Sequence, residues 1–360
     1  MKTKSLKFGL LLMLAAVLLS SCAPAATPTP VTVEVTRVVA STPVVEQVVA
    51  TAAPTAAVVE KPFRIAVILP SSKDDAEWSQ SLVEGLNKVQ KEMGADKLEV
   101  AVSENVWQVP NAAEAVRDYA TQGYNLIIAH GAQYGTSLAQ IAPDFPETSF
   151  AWGTTTNTFQ ADGINNIFAY QPEAGQSGYV NGVIAAMISK SGILGVTGPV
   201  EAGDAKLYND GFKKGAEATK PGIKVNISYT GSFSDVSLMS AAAETQIANG
   251  ADVLTGTSQS VVGAIGVAKT KKVTWLAGAW FQDNLAPEVI ATDIVYRWEV
   301  ILRDMIASNK AGVPGGKVYY MTFKNGGLEM NYNSAYTLPA DVKAAADAAI
   351  QGIKDGTIKP

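Results

Sequence analysis

The sequence predicts an α/β protein of two units, each a parallel sheet flanked by helices. Short β-branched runs alternate with longer amphipathic segments, and most successive runs are one helix length apart. About 300 residues follow position 61, more than one typical domain holds and comfortable for two.

The run Arg64-Ile65-Ala66-Val67-Ile68-Leu69 reads as a buried strand, and over 78–92 Leu82, Leu86 and Val89 share one helical face. Further strands are predicted at 98–102, 126–129, 150–152, 193–196, 225–229, 253–255, 273–276 and 318–323. Helices are predicted between them at 111–122, 178–189, 204–219, 237–249 and 261–270. The segment 339–354 places Val342, Ala345, Ala349, Ile350 and Ile353 at helical spacing, with Asp341 or Leu338-Pro339 as its start. Two glycine-rich stretches are loops, not phosphate cradles. In 192–198 the first glycine precedes its strand, and 312–317 lacks the Walker spacing and runs into Val318.

The chain before the folded part has a different composition. Lys2, Lys4 and Lys7 precede an apolar run over 8–19, the layout of a secretory signal peptide and short of the ~20 residues a membrane-spanning helix needs. Leu19-Ser20-Ser21-Cys22 resembles a lipobox, so 1–21 is expected to be a lipoprotein signal peptide and Cys22 the lipidated residue. Cys22 is the only cysteine, which excludes an internal disulfide. Residues 22–61 are rich in Ala, Pro, Thr and Val. Pro28, Pro30, Pro43 and Pro54 break up extended pairing there, which predicts an unpacked stalk. The expected location is outside the cytoplasm, lipid-anchored at the cell membrane. A net charge of −5 with no basic cluster in the folded region argues against nucleic acid as a partner.

With His130 as the single histidine, no multi-histidine metal site is available, and no Gly-x-Ser-x-Gly elbow occurs. In parallel α/β units ligands gather beyond the carboxyl ends of the strands. Asp74, Asp75 and Glu77 stand there at a helix start, where acidic groups complement the dipole. Trp78 follows, either as a flat stacking surface or as core. Asn105 and Trp107 come after the second strand, and Gln133 and Tyr134 after the third. Tyr170, Glu173, Tyr208 and the run Gly278-Ala279-Trp280-Phe281-Gln282 complete the set. Trp152 and Trp275 read as core, and Trp107 fits either role. Rich in aromatics and amides, the collection suits a flat, uncharged molecule with polar edges better than a reaction. An enzyme would have to pair Glu104 or Glu173 with Asp74 or Asp75, carboxylates that helix dipoles already explain.

Several pieces recur in a familiar order: Asp74-Asp75, Trp78 and Glu84-Gly85-Leu86; 126–134; 145–151; Glu173-Ala174-Gly175 through Ala185-Ala186; Asn209-Asp210-Gly211-Phe212; 231–235; and Gly326-Gly327. In these the span 63–333 resembles the basic membrane protein family of lipoproteins, solute-binding components of ABC transporters for purines and nucleosides. The resemblance implies a two-lobed periplasmic-binding-protein fold of the first type, with no enzymatic activity and no cofactor or metal. Its three crossovers would fall near Tyr170, Asp283 and Phe323, giving an N-terminal lobe of 62–169 and 284–323 and a C-terminal lobe of 170–283 and 324–360.

In the family an aromatic ring in the first helix stacks on the purine, which here is Trp78, and Tyr208 falls where nucleoside binders often place a second. Those binders also carry an aspartate where this chain has Ala279-Trp280, and a lysine near the place of Tyr296. The departures favour a purine nucleobase, adenine-like, sandwiched by Trp78 with Trp280 or Tyr208. Asn105 and Gln133 would read its edges, and Tyr134, Tyr170, Glu173 and Trp298 complete the expected site. The expected partners are that ligand and an ABC permease, with the protein acting as a monomer. The alternatives are a nucleoside-binding lipoprotein and a ligand-sensing receptor subunit of the same fold.

Overall fold

The computed structural model describes residues 61–360. The predicted signal peptide, the lipidation at Cys22 and the stalk up to residue 60 lie outside the described residues. In chain order the first elements are β1 (Phe63–Ile68), α1 (Trp78–Met93), β2 (Leu98–Ser103), α2 (Val109–Thr121), β3 (Leu126–Ala129), α3 (Gly135–Ile141), β4 (Ser149–Trp152) and β5 (Ile167–Pro172). There follow α4 (Ala174–Ile188), β6 (Ile193–Gly198), α5 (Gly203–Thr219), β7 (Lys224–Tyr229), α6 (Val236–Ala248), β8 (Val253–Gly256), α7 (Val261–Lys271), β9 (Thr274–Ala277) and β10 (Ile290–Tyr296). The chain ends with α8 (Glu299–Lys310), β11 (Val318–Met321), β12 (Leu328–Tyr332) and α9 (Ala340–Asp355).

Two six-stranded sheets result, ordered β11-β5-β4-β3-β1-β2 and β12-β10-β9-β8-β6-β7. All pairings are parallel except β10 with β12, an antiparallel edge. Each order places the first strand of its unit (β1, β6) inside the sheet, as in doubly wound folds with helices on both faces. The chain passes from the first sheet to the second after β5, returns after β10, and passes again between β11 and β12. The second crossover therefore lies beyond Tyr296, not near Asp283, and residues 290–296 belong to the second lobe. β10 escapes a hydropathy reading because Thr292 and Asp293 interrupt its apolar run. Both are nevertheless fully buried, and Asp293 accepts hydrogen bonds from the Gln282 amide N–H at 2.9 Å and from Asn331 Nδ2 at 3.1 Å.

β1 shows how strictly the layers bury the sheets. Ile65, Ala66, Val67 and Ile68 are all inaccessible, and only Arg64 reaches outward, ion-paired with Glu99 and lying 3.9 Å over the Tyr124 ring. In the second lobe α4 and α5 meet backbone to backbone. Gly178 and Gly182 face α5 one turn apart, and Gly211 and Gly215 face α4 in the same way. A β-carbon on Gly178 would strike the Tyr208 carbonyl, and one on Gly182 the Phe212 carbonyl. The four glycines accept the entropic cost of glycine in a helix in return for this contact. It fixes the start of α5, which reaches the cleft described next.

Candidate ligand-binding site

The carboxyl ends of both sheets open on one cleft of about 280 Å³. The first lobe contributes Pro70 after β1, Trp107 after β2, Gly131, Ala132 and Gln133 after β3, Gly153 and Thr154 after β4, and Glu77 and Trp78 at the start of α1. The second contributes Pro199 and Val200 after β6, Ala202 to Ala205 at the start of α5, Phe233 after β7, and Thr257, Ser258 and Gln259 after β8. None of these side chains is basic.

Asp75 organises the start of α1. Its carboxylate accepts hydrogen bonds from the amides of Glu77 (2.9 Å), Ser79 (3.0 Å) and Gln80 (3.1 Å) and from Ser71 Oγ at 2.7 Å. Satisfying those orphan donors presents Trp78 to the cleft in one orientation. Behind it the His130 imidazole stacks on the indole, centroids 4.1 Å apart and planes within 6°. Trp78 Nε1 donates to the His130 carbonyl at 3.1 Å, and the imidazole Nε2 lies 3.1 Å from the Trp78 carbonyl. A carbonyl only accepts, so Nε2 carries the proton and Nδ1 accepts from the Tyr170 hydroxyl at 2.8 Å. Burial holds the His130 pKa down at about 3, so the ring is neutral. Trp298 packs edge-on against Trp78, His130 and Tyr170 and donates its Nε1–H to Ser81 Oγ at 2.7 Å. The cleft floor is thus a rigid aromatic block with its hydrogen-bonding groups already engaged.

The polar groups of the cleft are less settled. Glu77 is 4% exposed, and burial together with the nearby Asp75 and Asp204 carboxyls pushes its pKa well up. Desolvation raises Asp204, in the first turn of α5, to about 6 despite its own amide and that of Ala205. Gln133 Nε2, Thr257 Oγ1 and Gln259 Oε1 are buried without a hydrogen-bond partner among the described residues. Three such atoms around one cleft mark where a ligand's polar edge would be held. At the mouth Trp107 of the first lobe meets Phe233 of the second, centroids 5.4 Å apart.

Of the residues expected from sequence, Trp78 and Gln133 line the cleft. Asn105 does not: it adopts a left-handed conformation (φ 60°) and donates its amide N–H to the Ser71 carbonyl. That conformation, which Asn tolerates better than most residues, accounts for its identity. Tyr134 is buried with its hydroxyl on the Val106 carbonyl at 2.7 Å. Tyr170 and Trp298 belong to the block behind Trp78, and Glu173 sits at the first crossover, its amide on the Met321 carbonyl. Tyr208 is inaccessible under the second lobe's floor, bonded to Thr255 Oγ1 at 2.6 Å and Asn181 Nδ2 at 2.8 Å. Trp280 faces a separate depression with Lys88, Lys91 and Arg297, outside the cleft, while its neighbour Gln282 is held by Asp293 and the Ala76 carbonyl. A purine sandwich by Trp78 with Trp280 or Tyr208 is therefore not available. Glu104 pairs with Lys73 at 3.1 Å, outside the cleft.

Asp204, Phe233, Thr257 and Gln259 were not singled out as ligand contacts from the sequence, and Glu77 was read there only as complementing a helix dipole. Glu77 directly precedes the predicted helix at 78 and Asp204 opens the one at 204, while Phe233, Thr257 and Gln259 lie in loops between a predicted strand and the next helix, the positional signal that could have found them.

Two parallel-sheet lobes joined by three crossovers, sharing a cleft at the carboxyl ends of their strands, define a solute-binding protein of the periplasmic-binding-protein type I fold. Residues 63–358 match the PnrA-like ABC transporter substrate-binding proteins, the Bmp family, and the chain belongs to that family. It is 27% identical over 306 residues to a purine-binding protein of Brucella abortus, covering 85% of each chain. It is also 24% identical over 307 residues to an ABC transporter nucleoside-binding protein of Lactococcus lactis, covering 79% of this chain and 85% of the relative. Among solved structures, an ABC transporter solute-binding protein from Conexibacter woesei superposes with a TM-score of 0.68 at 20% identity, covering 82% of this chain and 98% of that one. The protein is an ABC transporter substrate-binding protein, and its role is binding, not catalysis. Among the described residues no helix is long and apolar enough to cross a membrane.

Proposed function

We propose that the protein captures a purine nucleobase, adenine-like, in the interlobe cleft and delivers it to an ABC permease, working as a monomer tethered to the membrane by lipid on Cys22. The observation that carries this reading is the cleft itself: a small volume over a rigid indole, ringed by unpartnered amide and hydroxyl groups and by two carboxyls, with no basic side chain lining it. An anionic ligand such as a nucleotide would meet the Asp204 carboxylate with no basic side chain among the described lining residues to offset the repulsion. A flat neutral base with N–H donors meets complementary groups on both lobes. The purine-binding and nucleoside-binding relatives support the ligand class. Trp78 supplies the stacking surface, Gln133 and Gln259 the edge contacts, and Trp107 with Phe233 closes the mouth.

Isothermal titration with adenine, hypoxanthine, guanosine and inosine tests the reading. Tight binding of a base and weak binding of both nucleosides is expected. Tight nucleoside binding with no response to bases would reject it in favour of a nucleoside carrier. For the anchor, metabolic labelling with a radioactive fatty acid should mark the wild type and not Cys22→Ala. Equal labelling of both would exclude Cys22 as the lipid site.

A further inference from the structure

Two carboxyls from opposite lobes face the same desolvated volume. Glu77 is 4% exposed at the start of α1 in the first lobe, and Asp204 is half-buried at the start of α5 in the second. Neither has a Lys or Arg partner among the described residues, since the neighbouring Lys206 is taken by Glu201 and Asp210. Among the described residues only backbone N–H groups offset this burial, those of Trp78 and, from across the cleft, Ser258 near Glu77, and those of Asp204 and Ala205 near Asp204. Independently, Thr257 is 7% exposed and lines the same cleft with its hydroxyl unpartnered. Desolvated carboxyls without a cation are unfavourable as anions, and burial raises the pKa of both. The compensation left open to them is a donor that arrives with the ligand.

We propose that Glu77 and Asp204 set the selectivity of the cleft, favouring a heterocycle that turns hydrogen-bond donors toward them, an exocyclic amino group and a ring N–H, over one that turns a carbonyl. The inference rests on the purine reading above and assigns the preference for a 6-aminopurine over a 6-oxopurine to these two carboxyls. An N–H donated to the Asp204 carboxylate, ionised at pH 7.5, is a charge-assisted bond, and one turned toward Glu77 is accepted by its carboxyl oxygen. A carbonyl oxygen in the same place leaves two acceptors in contact, and a buried acceptor without a donor is penalised.

Titration of the full-length protein with adenine and with hypoxanthine at pH 7.5 tests this, on wild type, Glu77→Gln and Asp204→Asn. The amide variants keep size and shape but add an N–H₂ that can donate to a carbonyl. Wild type should bind adenine on the order of tenfold or more tighter than hypoxanthine, and each variant should bring that ratio close to one. Equal wild-type affinities, or a ratio that both variants preserve, would overturn the inference while leaving the purine reading standing. Failure of every purine to bind would overturn both.

Discussion

The two lobes build their halves of the cleft by different means. In the first, Trp78, His130, Tyr170 and Trp298 form one packed block in which the indole N–H groups, both imidazole nitrogens and the tyrosine hydroxyl are engaged with one another or with nearby backbone and Ser81. In the second, the glycine contact between α4 and α5 supports a polar wall in which Thr257 and Gln259 keep atoms without partners. Shape comes chiefly from a side that is chemically complete, and recognition chiefly from a side that is not. Gln133 is the exception, a side chain on the aromatic side whose Nε2 has no partner among the described residues.

The largest expected effect lies in the support of the second lobe. Gly182→Leu drives a side chain into the Phe212 carbonyl and should destabilise by about 3 kcal/mol or more, the upper range for overpacking. Urea unfolding followed by circular dichroism reads this, and a wild-type midpoint would mean the helices tolerate a wider spacing.

His130→Gln should cost about 2 kcal/mol at pH 7.5, because it opens space behind Trp78 and disturbs the bond to Tyr170. The cost has a pH signature. The folded-state pKa of His130 is about 3 against an ordinary 6.5, so below pH 6.5 the unfolded chain takes up a proton that the folded chain refuses. The contribution is present in full above 6.5 and is lost at about 1.4 kcal/mol per pH unit as pH falls toward 3. Asp204, raised to about 6, acts in the opposite sense and gains stability as pH falls through that value. The wild-type curve therefore mixes both, and the difference between wild type and His130→Gln isolates the histidine. That gap should narrow from pH 6.5 to pH 5, whereas a constant gap would mean the ring is charged in the fold.

Thr257→Val sharpens the contrast between the lobes. Its hydroxyl has no partner among the described residues to lose, so the melting temperature should stay close to wild type, while ligand affinity falls about fivefold to tenfold. A large drop in stability with affinity unchanged would reverse the roles assigned to the walls. The smallest effect belongs to the mouth. Trp107→Ala removes one partner of the Trp107–Phe233 contact and should speed ligand release severalfold in stopped-flow fluorescence, with little change in stability.

Much of the fold was legible in the sequence because parallel strands buried on both faces are written as continuous apolar runs, as in β1 and β3. β10 was not, since its buried Thr292 and Asp293 are satisfied by contacts distant in sequence, and the second crossover was misplaced with it. The site was legible in position but only partly in membership. Loops after strands do form the cleft, yet Trp298, Tyr170 and Tyr208 are aromatics that sit behind it, and periodicity does not separate a ring that faces ligand from one that supports it. Asn105 shows the same limit for amides: its place is set by its own backbone. Glu77 looked like one more acid at a helix start, and only the opposing lobe makes its burial visible.

The central claim is that the cleft holds a purine base, and the most direct measurement is to purify the protein under native conditions, denature it, and identify the released small molecule by mass spectrometry. Release of a free purine base bearing an amino group is the predicted result. Release of a sugar, an amino acid or an intact nucleoside in stoichiometric amount would contradict it.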